Sequence, residues 1–256
     1  MNQIAVREKM KKLNLTGGID LYEQRLQQAM EEKWAYSTFF EMLLTDALEH
    51  KNNKQLQLRL VKSHLDITKT LETFDFKRKE LIVPTSLIRE LAMCNFLGKN
   101  QNIFVFGKSG LGKTHIAQAI GLQACRLGQD VFFHCTKRLM DWVYAGIADG
   151  TRKKRLMQII KVPLLIMDDF GLQPLDEEQQ KDLYQIIAER YEKRSIILTT
   201  NLAIEEWPDI FTHPLIGGAA VDRLVHRGVE VILDGPSHRL FEYKKSGGSK
   251  EATKAK

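Results

Sequence analysis

The residues best equipped for chemistry are Gly107-Lys108-Ser109-Gly110-Leu111-Gly112-Lys113-Thr114, which satisfy the spacing G-x-x-x-x-G-K-[ST] at every fixed position. The glycines let the backbone turn tightly with its N–H groups directed inward, where they hold phosphate oxygens. Lys113 is placed to reach the β- and γ-phosphates of a nucleotide, and the Thr114 hydroxyl to bind Mg²⁺. Asp168 and Asp169 close the apolar run Leu164-Leu165-Ile166-Met167, and Asn201 closes Ser195-Ile196-Ile197-Leu198-Thr199-Thr200. Asp168 is the expected Mg²⁺ holder, directly or through water. Asp169 would orient or deprotonate an attacking water, and Asn201 would hold that water or the γ-phosphate. Arg223, in Val221-Asp222-Arg223-Leu224-Val225-His226-Arg227, could serve the γ-phosphate of a neighbouring subunit, but spacing alone favours a surface ion pair with Asp222 or a nearby acid.

Such residues converge only if the right elements carry them. Ile103-Phe104-Val105-Phe106 reads as a buried strand entering the glycine loop, and residues 114–127 read as the helix leaving it. Further strands are expected at 131–135, 162–169, 195–201 and 229–233. Helices are expected at 86–97, 137–148, 152–161, around 204–207 and at 219–226. Another opens at Asp176, whose Gln179 three residues on completes a capping box, and runs to about Arg194. Strands alternating with helices define a doubly wound parallel α/β domain of five strands, with ligands at the carboxyl ends of the strands. The first 70 residues lack proline and read as helices at 4–13, 21–32 and 38–64. The last has an apolar face of Phe39, Phe40, Leu43, Leu44 and Ala47 and a possible break at Lys51-Asn52-Asn53-Lys54.

Composition narrows the classes. With 38 Lys and Arg against 32 Asp and Glu, the formal charge of +6 permits nucleic-acid binding without establishing it. The basic clusters Lys137-Arg138 and Arg152-Lys153-Lys154-Arg155 are the candidate DNA contacts, each of which also fits a solvated helix face. Trp142 and Tyr144 read as core residues. Cys94, Cys125 and Cys135 form no close-spaced pair, which argues against zinc and disulfides and leaves them as buried thiols. No apolar run approaches a membrane span and no signal-peptide core is visible, so the expected location is the cytoplasm.

Beyond the glycine loop, several blocks carry a resemblance: residues 164–170, Glu189-Arg190-Tyr191-Glu192-Lys193-Arg194-Ser195 running into Thr199-Thr200-Asn201, Glu206-Trp207, Asp222-Arg223-Leu224-Val225-His226, Phe40-Glu41-Met42-Leu43-Leu44 and Leu71-Glu72-Thr73-Phe74-Asp75-Phe76. Together, over about residues 5–243, they resemble the IstB family, helper ATPases of insertion sequences in the AAA+ branch shared with DnaC-type helicase loaders. The resemblance implies an ATP- and Mg²⁺-dependent ATPase that forms a homo-oligomer on duplex DNA and directs a partner transposase to its target. It makes Lys113 and Thr114 the Walker A residues, Asp168 and Asp169 the Walker B pair, and Asn201 sensor 1. Arg223 becomes the arginine finger, with Arg227 as second candidate. Two departures stand out. Asp169 replaces the glutamate that many AAA+ proteins use, and the segment after Leu233 is too short for a helical lid, leaving Arg239 as its candidate substitute.

The implied plan is a helical N-terminal domain at 1–70 for partner or DNA docking, a connector at 71–80, an AAA+ P-loop domain at 81–245 and a disordered tail at 246–256. A DnaC-type replicative helicase loader is the alternative, with the same ATPase chemistry but single-stranded DNA and a hexameric helicase as partners. A small-molecule phosphotransferase fits less well, since no lid or acceptor-binding constellation is visible. A module that holds ATP only as a structural ligand is a further reading, given Asp169.

Overall fold

The computed structural model describes residues 3–78, 80–239 and 243; the tail expected at 246–256 lies outside the described residues. The chain divides into two compact units, Met1–Arg59 and Leu60–Lys256.

In the first unit, α1 (Gln3–Lys12), α2 (Thr16–Glu31) and α3 (Tyr36–Ser63, which continues into the second unit) pack around Met10, Tyr22 and Leu43. Helix α2 begins five residues before its expected start and takes Gly17 and Gly18 into its first turn. A Cβ at Gly17 would strike His50 of α3, so the glycines are there for close helix approach rather than as a break. The expected break at residues 51–54 is absent, because polar residues on an exposed helix face need no connection. Of the expected apolar face, Leu43 and Ala47 are buried, whereas Phe40 is 61% and Leu44 38% exposed. Arg25 clamps the buried Asp46 with two hydrogen bonds of 2.8 and 2.9 Å and holds its carboxyl below the usual range.

The second unit runs α4 (Thr85–Ala92), α5 (Asn95–Gly98), β1 (Ile103–Phe106), α6 (Lys113–Arg126), β2 (Val131–Cys135), α7 (Thr136–Ala145) and α8 (Arg152–Lys161). It continues with β3 (Leu164–Asp168), α9 (Glu177–Arg190), β4 (Ser195–Thr200), a 3₁₀ helix (Ile204–Ile210), α10 (Pro214–Val225) and β5 (Val229–Ile232). The helix expected at 86–97 is split in two where Cys94 adopts a left-handed conformation. Helix α10 starts earlier than expected, with Pro214 in the first turn, where a missing N–H costs nothing.

Among the described residues the sheet is fully parallel in the order β2-β3-β4-β1-β5. Strand alternation assigns its two faces. Phe104, Phe132, Leu165, Met167, Ile196 and Leu198 join the core made with α7, α8, α9, α10 and Trp207. The alternate residues face the other side, where Gly121 of α6 lets that helix settle on Ile166. Every residue of β3 and β4 is buried, which explains their unbroken apolar runs. Cys125 and Cys94 are buried thiols and Cys135 is half-buried. Trp142 is half-buried, packed against the Phe132 ring at a tilt with the Arg155 guanidinium over its own ring, while Tyr144 is exposed.

Arg190 ends α9 and reaches back through the core. Its two terminal nitrogens donate to the carbonyls of Ile159, Ile160, Val162, Pro163 and Ser195 at 2.6–3.2 Å, so it caps α8 and ties it to β4. Burial pushes the guanidinium down to about 9, still cationic at neutral pH. The helix therefore stops at Arg190 rather than near Arg194, and Glu192 turns left-handed beyond it. Replacing Arg190 by Met should orphan these carbonyls and cost about 3 kcal/mol, a fall in Tm of about 6–12 °C by circular dichroism. Lys should restore only part, having no planar fork; an unchanged Tm for Arg190→Met would contradict this role.

Candidate functional site

Parallel pairing brings the carboxyl ends of β1, β2, β3 and β4 to one edge of the sheet, and a cavity of about 1020 Å³ opens there. The loop after β1 is shaped by backbone that only glycine accepts. Gly107 has φ +145°, and a Cβ on it would press on the Leu233 carbonyl at 2.5 Å. Gly112 has φ +97°, and a Cβ there would meet the Phe74 ring at 2.6 Å. Gly110 is closed off by Ser237 in the same way, and the buried Leu111 side chain anchors the loop in the core. Lys108 and Ser109 are exposed at the loop's tip.

Lys113 opens α6 and is buried. Its ammonium donates to Gly107 O at 2.7 Å, Lys108 O at 3.1 Å and Asn201 Oδ1 at 2.5 Å. Burial lowers its pKa, and the charges of Asp169 and Asp168 oppose that shift. The Thr114 hydroxyl donates to both oxygens of Asp168, at 2.8 and 3.1 Å. Asp169 has a left-handed backbone, φ +52°, and its N–H donates to Thr199 Oγ1 at 3.0 Å. Burial first and Asp168 second raise the Asp169 carboxyl above its ordinary range. Thr199 also donates to Asp168 Oδ1, so one hydroxyl touches both acidic residues.

The 107–114 loop, Asp168, Asp169 and Asn201 thus share one cavity, and Arg239 lines it too. Arg239 acts on Lys113 and Asp169 electrostatically, which makes it a cation of the site. Arg223 is elsewhere, on α10. It donates to Ala219 O at 2.7 Å and lies 5.6 Å over the Tyr184 ring; among the described residues no carboxylate pairs with it, Asp222 included. Arg227 is ion-paired with Glu192 at 3.7 Å.

The basic candidates are not united in one patch. Arg138 lines the nucleotide-side cavity. Lys137 pairs with Asp141 at 2.9 Å, Arg152 with Asp182 at 2.9 Å and Glu178 at 3.3 Å, and Arg155 with Asp149 at 2.6 Å. Lys153 and Lys154 are exposed, with no ion-pair partner among the described residues.

The expected connector is more than a link. Phe74 covers Gly112 and packs edge-on against His115 at 5.3 Å, and His115 Nε2 lies 2.7 Å from Thr70 O and 3.3 Å from Thr73 Oγ1. Arg78 donates to Pro236 O at 3.0 Å, and His238 N to Gly110 O at 2.9 Å. Thr73, Phe74, Asp75 and Arg78 line the cavity with His238, so the segment read as a connector forms part of its outer wall. An aromatic and basic run immediately before the phosphate-loop domain was the available signal.

The arrangement fits a nucleotide triphosphate with Mg²⁺: a glycine cradle that a Cβ would fill, and hard oxygens of Thr114 and Asp168 converging beside it. Fold and site together define an α/β P-loop protein of the AAA+ type. Its fold matches the DnaC helicase loader at a TM-score of 0.56 and 22% identity over 65% of this chain and 97% of that one. AMPPCP-bound DnaA from Aquifex aeolicus matches at 0.54 and 25% identity, over 72% of this chain and 56% of that one. The profile of the IstB-like ATP binding protein family matches residues 8–246, and this chain belongs to that family. Relatives include an insertion-sequence ATP-binding protein of Mycobacterium tuberculosis, 30% identical over 92% of this chain and 94% of its own length. The IS21 ATP-binding protein of Pseudomonas aeruginosa is 32% identical over 88% and 84%, and the IS5376 ATP-binding protein of Geobacillus stearothermophilus 32% over 93% and 94%. Among the described residues no helix is long and apolar enough to cross a membrane.

Proposed function

We propose that this chain is a cytoplasmic, ATP-dependent DNA-binding ATPase that assembles as a homo-oligomer on duplex DNA, hydrolyses ATP and directs the transposase of its own insertion sequence to target DNA. One observation carries the reading: the 107–114 loop, Asp168, Asp169 and Asn201 converge in one cavity, while Arg223 stands outside it with no acidic partner among the described residues. An arginine that stands outside its own chain's cavity suits catalysis shared between neighbours. Membership of a family of insertion-sequence ATP-binding proteins supports the biological setting.

Hydrolysis requires water to attack the γ-phosphorus, the bond to the β–γ bridging oxygen to break, and a proton to leave the water. Mg²⁺, when bound, neutralises charge on the β- and γ-phosphate oxygens. Thr114 and Asp168 would hold it. The loop amides and Lys113 would fix the phosphates, Asn201 would position the water, and Asp169 would accept its proton. The raised Asp169 pKa suits that last role, since a base works best nearer the ambient pH.

Binding to labelled duplex and single-stranded DNA, without nucleotide, with ADP and with a non-hydrolysable ATP analogue, tests the proposal. Duplex binding confined to the analogue-bound state, with phosphate release from ATP, is expected. No DNA binding in any state would overturn it. Lys153 and Lys154 are the free basic pair for phosphate contact, so removing both should weaken binding at all sequences and reduce the salt slope by about 2. The likeness in fold to the DnaC loader favours a second reading, in which single strands are preferred and a replicative helicase is the partner.

A further inference from the structure

The two acidic residues at the end of β3 do not position themselves. Strand pairing runs Leu164↔Ser195 through Met167↔Leu198, which makes Asp168 and Thr199 the next neighbours across the two strands. Thr199 is fully buried, and its hydroxyl has one proton to give and lone pairs to receive with. It gives the proton to Asp168 Oδ1 and receives the N–H of Asp169. Neighbouring contacts fasten the same turn: Phe170 N donates to Thr199 O at 2.8 Å, and Thr200 Oγ1 to Phe170 O at 2.9 Å. Asp169 needs this support. A left-handed backbone is disfavoured for residues with a Cβ, less so for Asp, and the hydrogen bond from the Asp169 N–H to Thr199 holds it there.

We propose that Thr199 is a positioning residue for the ATPase site, its single hydroxyl orienting the Asp168 carboxylate toward the metal position and fixing the turn that aims Asp169. This rests on the function proposed above and adds a residue to it. Thr199 is buried behind the cavity rather than lining it and acts through the two aspartates. Valine at this position keeps the shape and β-branching but can neither donate nor accept, whereas serine keeps the hydroxyl.

The test uses the full chain with Thr199→Val and Thr199→Ser. Affinity for a fluorescent ATP analogue is measured with and without Mg²⁺, beside steady-state ATP turnover. For Thr199→Val, kcat should fall about 10²-fold while the Mg²⁺-free affinity stays within about threefold, as expected when reacting groups are misplaced but the phosphate cradle is intact. The tightening of analogue binding by Mg²⁺ should disappear in the valine variant, and serine should restore both properties. Retention of the tightening by valine, equal impairment of serine and valine, or loss of Mg²⁺-free binding in valine would each overturn the proposal. If the wild type hydrolyses no ATP, the ATPase reading fails separately. The Mg²⁺ dependence of binding then decides the Thr199 role: lost with valine and regained with serine supports it, and a wild type indifferent to Mg²⁺ refutes it.

Discussion

An equimolar mixture of Arg223→Ala and Lys113→Ala chains is expected to hydrolyse ATP although each variant alone does not. The Lys113 ammonium is the buried cation of the chain's own cavity, held by two loop carbonyls and Asn201, and its loss removes the anchor of the phosphates. Arg223 lines no part of that cavity, so Arg223→Ala leaves the chain's own nucleotide site intact and should bind ATP normally. On the proposed shared-site reading it removes a charge that serves a neighbour's γ-phosphate, a contribution of about 10³-fold or more where such arginines act in trans. In a head-to-tail assembly, sites of Arg223→Ala chains can be completed by the Arg223 of Lys113→Ala chains. Random mixing makes about one interface in four competent, so recovery should approach a quarter of wild-type turnover. Measured by phosphate release across mixing ratios, recovery peaking near equality supports the shared site. No recovery at any ratio, or full activity of Arg223→Ala alone, would remove it.

Asp169→Asn is expected to lose catalysis and gain stability. The variant keeps the loop, Lys113 and Asp168, so nucleotide affinity should change little, while turnover falls about 10²–10⁴-fold for want of a proton acceptor. The stability effect follows from the direction of the pKa shift. Burial and the Asp168 charge raise the folded-state pKa of Asp169 above its unfolded value of 3.8. The folded state therefore binds this proton more tightly, stability falls as pH rises through the window between the two values, and the deficit persists above it. An uncharged asparagine escapes the deficit. Thermal unfolding should show a higher Tm than wild type at pH 7 and a smaller difference below about pH 4. A lower Tm for the variant at pH 7 would mean that the ionised carboxylate stabilises the fold, and retained turnover would exclude Asp169 as the acceptor. The opposite movement of activity and stability is expected of a site that holds two carboxylates together for chemistry.

Several elements were legible in the residues because local rules decide them. The capping box at Asp176 and Gln179 formed as its spacing required, with the Gln179 N–H bonded to Asp176 at 2.9 Å. Strands β3 and β4 stood out because strands buried on both faces leave unbroken apolar runs. Errors clustered where packing overrules local preference. Gly17 and Gly18 signal an interruption by propensity, yet they lie inside α2 because α3 passes too close for a side chain. Arg190 reads as one basic residue in a charged run, and only its five carbonyl partners make it a core residue.

Sequence by itself determined the phosphate loop, its flanking strand and helix, the carboxylates at the end of one strand and the asparagine at the end of another. Each is a short-range pattern, written into neighbouring residues. Tertiary structure alone decided which side chains meet. It placed Thr199 between Asp168 and Asp169, folded the 71–78 segment and Arg239 onto the nucleotide cavity, and neutralised Arg152 with Asp182 and Glu178. These are contacts between residues tens of positions apart, set by the sheet order β2-β3-β4-β1-β5, and no local periodicity encodes which strands become neighbours.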